Sequence, residues 1–296
     1  MRIKFSKYSP ARKAFTIFNY VLWIILAAIC LVPIINVLSV SLSSSAAVDS
    51  GAVKLWPVNF TLKSYKYVMD KPEFMRAFWI SVKRVIIGVP FSMLITILTA
   101  YPLSRQQKFK GRKIYVIYFL ITMLFSGGLI PWYMVISKLK LIDSFWALIL
   151  PSAVSVYNII ILMNFFRELP GEIIESAYVD GASELQVLFT IVVPMSMPSI
   201  ATLTLFTFVT HWNSWFDGLL LMNSASNYPL QSYLQTVIVN KDMSLMSISE
   251  ILNSMIVSDS TSKAAQTFIV AIPVMIIYPF LQRYFVTGIQ MGGVKE

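Results

Sequence analysis

The sequence predicts an all-α membrane protein with six transmembrane helices and both termini in the cytoplasm. Hydrophobic residues make up 57% of the 296 positions and charged residues only 13%, whereas about a quarter of the residues in a soluble globular domain are charged. Apolar runs of roughly 20 residues, the length that spans a bilayer, recur along the chain. The first 13 residues carry five basic side chains and no acid, which places the N-terminus on the cytoplasmic side.

Segments of more polar composition separate the six predicted spans. The spans cover approximately Phe15–Val40, Phe78–Leu103, Ile114 to the outer segment around Lys138, Ser144–Phe166, Ser199–Met222 and Ala264–Gln282. The first span is too long for the hydrophobic region of a signal peptide, so we expect it to be retained. For the outer loop at 41–75 we expect ordered irregular structure. In the third span, Ser126-Gly127-Gly128 followed by Pro131 should break or kink the helix.

The stretch Arg167–Pro198 is a polar interruption with helical character of its own. Ile173, Ile174, Ala177 and Tyr178 recur at helical spacing, and we expect them to form one apolar face. Gly181 stands where a left-handed helix cap is expected, and Ser183 with Gln186 has capping-box spacing for a second helix that ends between Pro194 and Pro198. Such a helix–glycine–helix element suits docking into a groove of a partner better than catalysis.

Polar residues inside the second and fifth spans are candidates for a transport pathway. Lys83 and Arg84 lie near the outer end of the second span. They either extend their charges to the membrane surface or line an aqueous path and meet an anionic substrate. His211 either makes a hydrogen bond between helices or contacts cargo. The pathway candidates are completed by Asn213, Trp215 and Asp217.

Several kinds of chemistry are absent from the sequence. No phosphate-binding G-x-x-x-x-G-K-[ST] loop occurs, so the chain cannot bind ATP by that route. Neither a G-x-S-x-G nor an H-E-x-x-H nor a C-x-x-C motif is found, and the single histidine excludes a metal site built from several histidines of this chain. The net charge of +10 fits basic clusters beside anionic lipid better than nucleic-acid binding. We therefore expect neither an enzyme nor a metalloprotein.

Spaced positions in the Arg167–Pro198 stretch together resemble the EAA loop of ABC-importer permeases. The matching residues are Glu175, Ser176, Ala177, Asp180, Gly181 and Ala182, with Phe189, Ile191 and Pro194 downstream. Ser176 stands where the family usually has alanine. From about Arg76 onward the chain is also similar to maltose-type carbohydrate-importer permeases. The blocks that carry this likeness are Ala100–Arg105, Phe125–Pro131, Phe165–Pro170, His211–Asp217, Tyr228–Gln231 and Gly292–Lys295.

The resemblance implies a type I ABC-importer permease architecture. Residues 1–75 would hold the N-terminal tail, the first transmembrane helix and the outer loop. Residues 76–285 would form the permease transmembrane domain, including the coupling loop at 167–198. Residues 286–296 would be a cytoplasmic tail.

The resemblance also implies partners in the cytoplasmic membrane: a second related permease subunit, two copies of an ABC ATPase and an extracytoplasmic solute-binding protein. ATP and Mg would be held by the ATPases, and no cofactor by this chain. The tail residues Gly292, Gly293, Val294 and Lys295 would reach the ATPase interface, and residues 223–263 would probe the binding protein.

Two functions follow from these patterns. The first is a permease for sugars or oligosaccharides, and Lys83 and Arg84 favour an acidic cargo because they replace apolar residues expected at these positions. The alternative is a stand-alone channel or secondary transporter in which Lys83, Arg84, His211 and Asp217 form an ion path. Many secondary transporters contain paired broken helices in two halves, and the Gly127-Gly128 break has no obvious counterpart in the other half of this sequence.

Overall fold

The computed structural model describes residues 9–105, 109–239 and 258–291, and over these ranges the chain is helical without a strand. The α-helices are α1 (Pro10–Ser41), α2 (Ser45–Asp49), α3 (Lys63–Met69), α4 (Pro72–Ser104), α5 (Arg112–Leu124), α6 (Leu129–Lys138), α7 (Val156–Glu168), α8 (Gly171–Val179), α9 (Glu184–Val187), α10 (Val193–Met195), α11 (Met197–Asn213), α12 (Phe216–Leu221), α13 (Leu230–Leu234) and α14 (Asp259–Met291). Short 3₁₀ turns cover Phe145–Leu148, Leu150–Ser152 and Ala225–Asn227, and wider π-helical turns cover Leu188–Val192 and Gln235–Val239.

The described helices provide three to six membrane spans. Three of them, α1, α4 and α14, are long and apolar enough to cross a bilayer as single helices. Three bent pairs also pass this test when each pair is taken as one span: α5 with α6, Phe145–Ser152 with α7, and Glu184–Met195 with α11. The upper count agrees with the predicted six spans. The predicted bounds of the fifth span, Ser199–Met222, are wrong, because α11 ends at Asn213 and the bent pair that contains it begins at Glu184. The side of the membrane on which the termini lie stays a prediction.

The predicted break in the third span is confirmed. Helix α5 ends at Leu124, Phe125 is extended at φ −114° and ψ 119°, and α6 starts after Gly128 at a bend of 116°. Gly128 has a φ of +84°, a left-handed conformation that glycine adopts without the penalty of a side chain. The local sequence thus determines both the position of the break and the residue that permits it.

The chain divides into two compact units, Met1–Lys71 with Asp242–Ala271, and Pro72–Lys241 with Ile272–Glu296. The outer loop is ordered as expected but is not irregular throughout, because α2 and α3 lie within it and α4 already begins at Pro72. Asn36 donates to the carbonyl of Lys54 at 2.5 Å, and Ser39 donates to the carbonyl of Leu55 at 2.7 Å. At the start of α14, the Ser258 hydroxyl donates to Asp49 at 2.6 Å. By contrast, the apolar part of α1 is exposed along its length within the chain.

In the second unit, α4 packs against both α7 and α11. The face of α4 in this packing carries small residues that are buried, namely Ser81, Gly88, Ser92, Thr96 and Ala100. Between α7 and α11, the buried Asn158 donates to Thr207 Oγ1 at 3.2 Å. Small side chains and interhelical hydrogen bonds are what allow helices to associate in lipid, so α4 is the centre of this unit.

Helix α12 packs against α13 in the same unit, and Gly218 of α12 provides a test of this contact. A Cβ at this position would overlap Ser232 Oγ and lie 2.7 Å from Pro229 Cδ. We expect Gly218→Ala to destabilise the fold by about 1–3 kcal/mol through overpacking. The thermal unfolding midpoint of the purified chain in detergent measures this loss.

Gly127→Ala is the matched control, because a Cβ there would meet only Pro131 at the ordinary contact distance of 3.8 Å. Equal unfolding midpoints for the Gly218 and Gly127 variants would contradict the packing described for α12.

Candidate functional site

The coupling-loop candidate folds as the predicted helix–glycine–helix element. Helix α8 ends at Val179 with Asp180 as its C-cap, and Gly181 follows with a φ of +81°. The Gly181 amide donates to the carbonyl of Tyr178 at 3.1 Å, and the Ala182 amide donates to that of Ala177 at 2.9 Å. These two bonds form a Schellman motif, which satisfies the last carbonyls of a helix through a left-handed glycine. The chain direction between the two helices is therefore set by local hydrogen bonds.

The second helix of the element starts with the predicted capping box. The Gln186 amide donates to Ser183 Oγ at 3.4 Å, and the Ser183 amide donates to Gln186 Oε1 at 2.8 Å. The helical run continues through a π-helical turn to Met195 and then bends by 84° into α11. Pro194 and Pro198 flank this bend, as the sequence predicts.

The exposed surface of the loop contains most of the predicted ATPase-coupling residues. Ile174 and Ala177 are buried against the rest of the chain, whereas Ile173 is 43% exposed, so the buried face of α8 is narrower than predicted. The coupling residues that lie at the surface are Glu175, Ser176, Asp180, Gly181, Phe189 and Pro194, and Ala182 is half-buried. Sequence reasoning missed two exposed apolar neighbours, Val179 at 87% and Leu185 at 62% exposure.

A cluster of four side chains joins this loop to the end of α4. We refer to Tyr101, Arg105, Tyr178 and Glu184 as the tyrosine cluster. Glu184 Oε2 accepts from the Tyr101 hydroxyl at 2.8 Å and from the Tyr178 hydroxyl at 2.5 Å. Tyr101 and Tyr178 are 77 positions apart, so no periodicity or spacing could have linked them.

Two of the pathway candidates, Arg84 and Asp217, form an ion pair. Arg84 Nη1 donates to Asp217 Oδ1 at 3.3 Å, and Arg84 Nη2 donates to Oδ2. Asp217 Oδ1 also accepts from the Ser214 hydroxyl at 2.8 Å and from the Gly218 amide at 2.9 Å. The Arg84 side chain is only 1% exposed, so it does not extend to the membrane surface, and its charge is balanced within the chain.

Lys83 has a different environment from its neighbour. It is exposed, and its Nζ lies 4.5 Å from the centroid of the Phe145 ring. Of the two adjacent cations, Lys83 is thus the one whose side chain lies on the surface of the chain.

The remaining pathway candidates occupy separate places. His211 is buried; its Nε2 lies 3.2 Å from Ser92 Oγ, and its Nδ1 lacks a hydrogen-bond partner within the described residues. His211 also lines a cavity of about 520 Å³ whose other polar residues include Ser92, Thr96, Asn158, Thr207 and Thr210. Asn213 is exposed and accepts from Gln231 at 3.3 Å, and Trp215 is 41% exposed. The predicted tail residues Gly292, Gly293, Val294 and Lys295 lie outside the described residues.

The chain matches the model of the family "Binding-protein-dependent transport system inner membrane component" over residues 14–291. The chain belongs to this family. It is therefore a multi-pass inner-membrane component of an ABC transport system, a permease subunit and not a catalytic one, as the EAA-loop resemblance implied.

Two relatives match this permease along nearly its full length, and one of them is named for the transport of carbohydrate polymers. It is 36% identical to "Polygalacturonan/rhamnogalacturonan transport system permease protein YtcP" of Bacillus subtilis, covering 96% of this chain and 99% of the relative. It is also 36% identical to Protein LplC of Bacillus subtilis, over 97% of both chains.

Among solved structures, the permease is similar to a chain of a bacterial ABC transporter involved in the import of the acidic polysaccharide alginate. The TM-score is 0.88, the identity is 32%, and the match covers 94% of this chain and 99% of the other. A second chain, from an alginate transporter in complex with a periplasmic protein bound to an alginate pentasaccharide, shares the fold with a TM-score of 0.56 and 15% identity.

The ion pair of the permease predicts a specific stability pattern. Asp217→Asn leaves the buried Arg84 charge without its partner, and removing one member of a buried pair costs about 3–5 kcal/mol. We expect a clear drop in the thermal unfolding midpoint. The double variant Arg84→Met/Asp217→Asn removes both charges and should recover part of the loss.

Unfolding midpoints of the two variants in the same detergent measure this difference. A double variant no more stable than Asp217→Asn would show that the ion pair does not account for the loss.

Proposed function

We propose that this chain is one of two related permease subunits of an ATP-driven, binding-protein-dependent importer of acidic oligosaccharides. The observation that carries the proposal is the similarity along nearly the full chain to one permease named for polygalacturonan and rhamnogalacturonan transport and to a chain of a transporter involved in the import of alginate. These polysaccharides are rich in uronic acids, so their oligomers carry carboxylates. The net charge of +10 on the chain is compatible with such a cargo.

The proposed partners are a second permease, two ATPase subunits and an extracytoplasmic solute-binding protein. The family name supports the last of these, because transport in this family depends on a binding protein. ATP and Mg would bind to the ATPases, since this sequence contains no phosphate-binding loop. Residues 223–263 would meet the binding protein; positions 240–257 of this segment lie outside the described residues.

The loop around Gly181 would dock in the cleft of an ATPase on the cytoplasmic side, with both termini of the chain on that side. Its exposed surface combines the acidic residues Glu175 and Asp180 with the apolar Val179 and Leu185. An apolar centre with polar edges is the usual anatomy of a protein interface. A rigid helix held in a moving cleft transmits force when the partner binds its two positions with different affinity.

The charge of the cargo would be sensed by Lys83 rather than by Arg84. Arg84 is already paired with Asp217 in a buried position, whereas Lys83 is exposed. A buried, neutralised arginine has little attraction left for a carboxylate. An exposed lysine attracts one at long range and thereby assists its capture.

A disulfide cross-link tests the docking. Cys30 is the only cysteine, so a Cys30→Ser background allows a single new thiol to be placed by Ala182→Cys, opposite a cysteine in the cleft of a co-expressed ATPase. We expect a cross-link whose yield depends on nucleotide, because the cleft moves between states.

A cysteine introduced by Trp56→Cys, in the outer loop, is the control and should not cross-link to the ATPase. Absence of a cross-link at Ala182 and at its exposed neighbours, with folded protein in the membrane, would refute the docking of this loop in the ATPase cleft.

Lys83→Gln tests the acidic cargo. We expect the KM for uptake of a galacturonate oligomer to rise about threefold to tenfold, consistent with the loss of one partly screened charge interaction, while kcat changes little. Uptake of a neutral maltooligosaccharide of the same length, where it occurs, should be unaffected. The measurement is uptake into proteoliposomes at low and at high salt.

Lys138→Gln is the matched control, because Lys138 is another exposed lysine and ends α6. An equal rise in KM for the Lys138 variant, or for the neutral oligosaccharide, would remove the assignment of Lys83 to acidic cargo.

A further inference from the structure

The tyrosine cluster connects three parts of the chain at one point. Tyr101 lies at the end of α4, Tyr178 lies in α8 before Gly181, and Glu184 begins the helical run after Gly181. The two tyrosine hydroxyls are 3.1 Å apart, and both donate to Glu184 Oε2. One carboxylate oxygen thus accepts from two hydroxyls, and three segments of the chain meet at this point.

Arg105, which directly follows α4, is the fourth member of the cluster and contacts both tyrosines. Its Nη2 donates to the Tyr178 hydroxyl at 3.4 Å, and its guanidinium carbon lies 5.5 Å from the Tyr178 ring centroid and 6.0 Å from that of Tyr101. One cation therefore contacts both rings, at distances where cation–π attraction operates. Hydrogen bonds to an ionised carboxylate are stronger than those between neutral groups, so Glu184 is the central acceptor.

The cluster lies where it can restrain movement of the chain at Gly181. Gly181 is the residue of the loop with the left-handed conformation; a Cβ there would meet no atom within 4 Å, so the two Schellman hydrogen bonds and not side-chain packing hold this residue. If α8 moved alone, rotation about Gly181 would absorb the displacement. The cluster spans this point, because Tyr178 and Glu184 stand on either side of it and share one partner, Tyr101.

Tyr101 is itself held firmly. It is 6% exposed, and its ring packs edge-on against Phe166 of α7 at a centroid distance of 6.4 Å. Helix α4 continues from there to Ser92, which contacts His211, and past Pro90 within the same helix to Arg84, which is paired with Asp217. A displacement received at Tyr101 therefore has a continuous helical route to the opposite end of the unit.

We propose that Tyr101, Arg105, Tyr178 and Glu184 are positioning residues that lock the loop across Gly181 and pass its movement to α4. This rests on the proposed function of the loop as the ATPase-docking element. The cluster transmits the movement and does not itself contact ATP or cargo. The inference needs no covalent step, only that the bonds persist while the loop moves.

The test combines Tyr101→Phe with Glu184→Gln, substitutions that retain ring and side-chain volume but remove the hydroxyl and the charge. A spin label is attached to Ala182→Cys in the full-length, Cys30→Ser chain in nanodiscs. We expect the label to become markedly more mobile in the double variant, because rotation about Gly181 is released. The Tyr118→Phe variant, which removes a hydroxyl from an exposed tyrosine of α5, should leave the label unchanged.

The second readout is the number of galacturonate oligomers imported per ATP hydrolysed by the reconstituted complex. We expect this ratio to fall about tenfold, the scale of one or two lost hydrogen bonds to a charged group, while ATPase co-purification and the unfolding midpoint stay near wild type. The two single variants should each cause most of the loss, since each removes or weakens the hydrogen bonding between Tyr101 and Glu184.

Unchanged label mobility would overturn the proposal, as would a mobile label with an unchanged ratio of import to hydrolysis. Failure of the proposed function has a different signature. A wild-type chain that neither co-purifies with an ATPase nor imports the oligomer would refute the importer assignment, while the label mobility would still decide whether the cluster locks the loop.

Discussion

Helices in lipid gain little from hiding apolar surface, since the lipid tails are as apolar as their side chains. The second unit therefore depends on close contact along α4. Gly88 shows how tight this contact is, because a Cβ there would lie 3.0 Å from the His211 ring. At one end of the helix the contact is reinforced by the pair of Arg84 and Asp217 and at the other by Tyr101 with Glu184. Small residues bring the helices together, and polar contacts at the two ends define their register.

The features that the sequence predicts well are those determined by a few neighbouring residues. The break before Gly128, the Schellman turn at Gly181 and the capping box of Ser183 with Gln186 all rest on bonds between positions at most five apart. The contacts that determine the arrangement of the helices are different. Arg84 and Asp217 are separated by 133 positions, and no local pattern indicates that they meet.

The π-helical turn at Leu188–Val192 also escaped prediction, although it has a local explanation. Pro194 lacks an amide hydrogen for the carbonyl of Thr190, four positions earlier, so the regular hydrogen-bond ladder is interrupted just after the wide turn.

The different environments of the two charges of the second span could not be predicted from the sequence either. Composition cannot distinguish the buried, paired Arg84 from the exposed Lys83, because the distinction depends on which face of α4 meets Asp217.

Helix α1 differs from the other long helices because no residue of its apolar stretch is buried within this chain. The side chains of this stretch contact lipid or detergent both before and after the chain folds. The folding free energy of the isolated subunit is therefore almost independent of them. Unfolding assays on the separate chain consequently do not detect substitutions along this apolar stretch, in contrast to Ser39 nearer the end of α1, which is buried. Evolutionary selection on that surface acts through the lipid or the partner subunits that surround the chain. Only measurements on the assembled transporter in a bilayer will detect the effect of substitutions there.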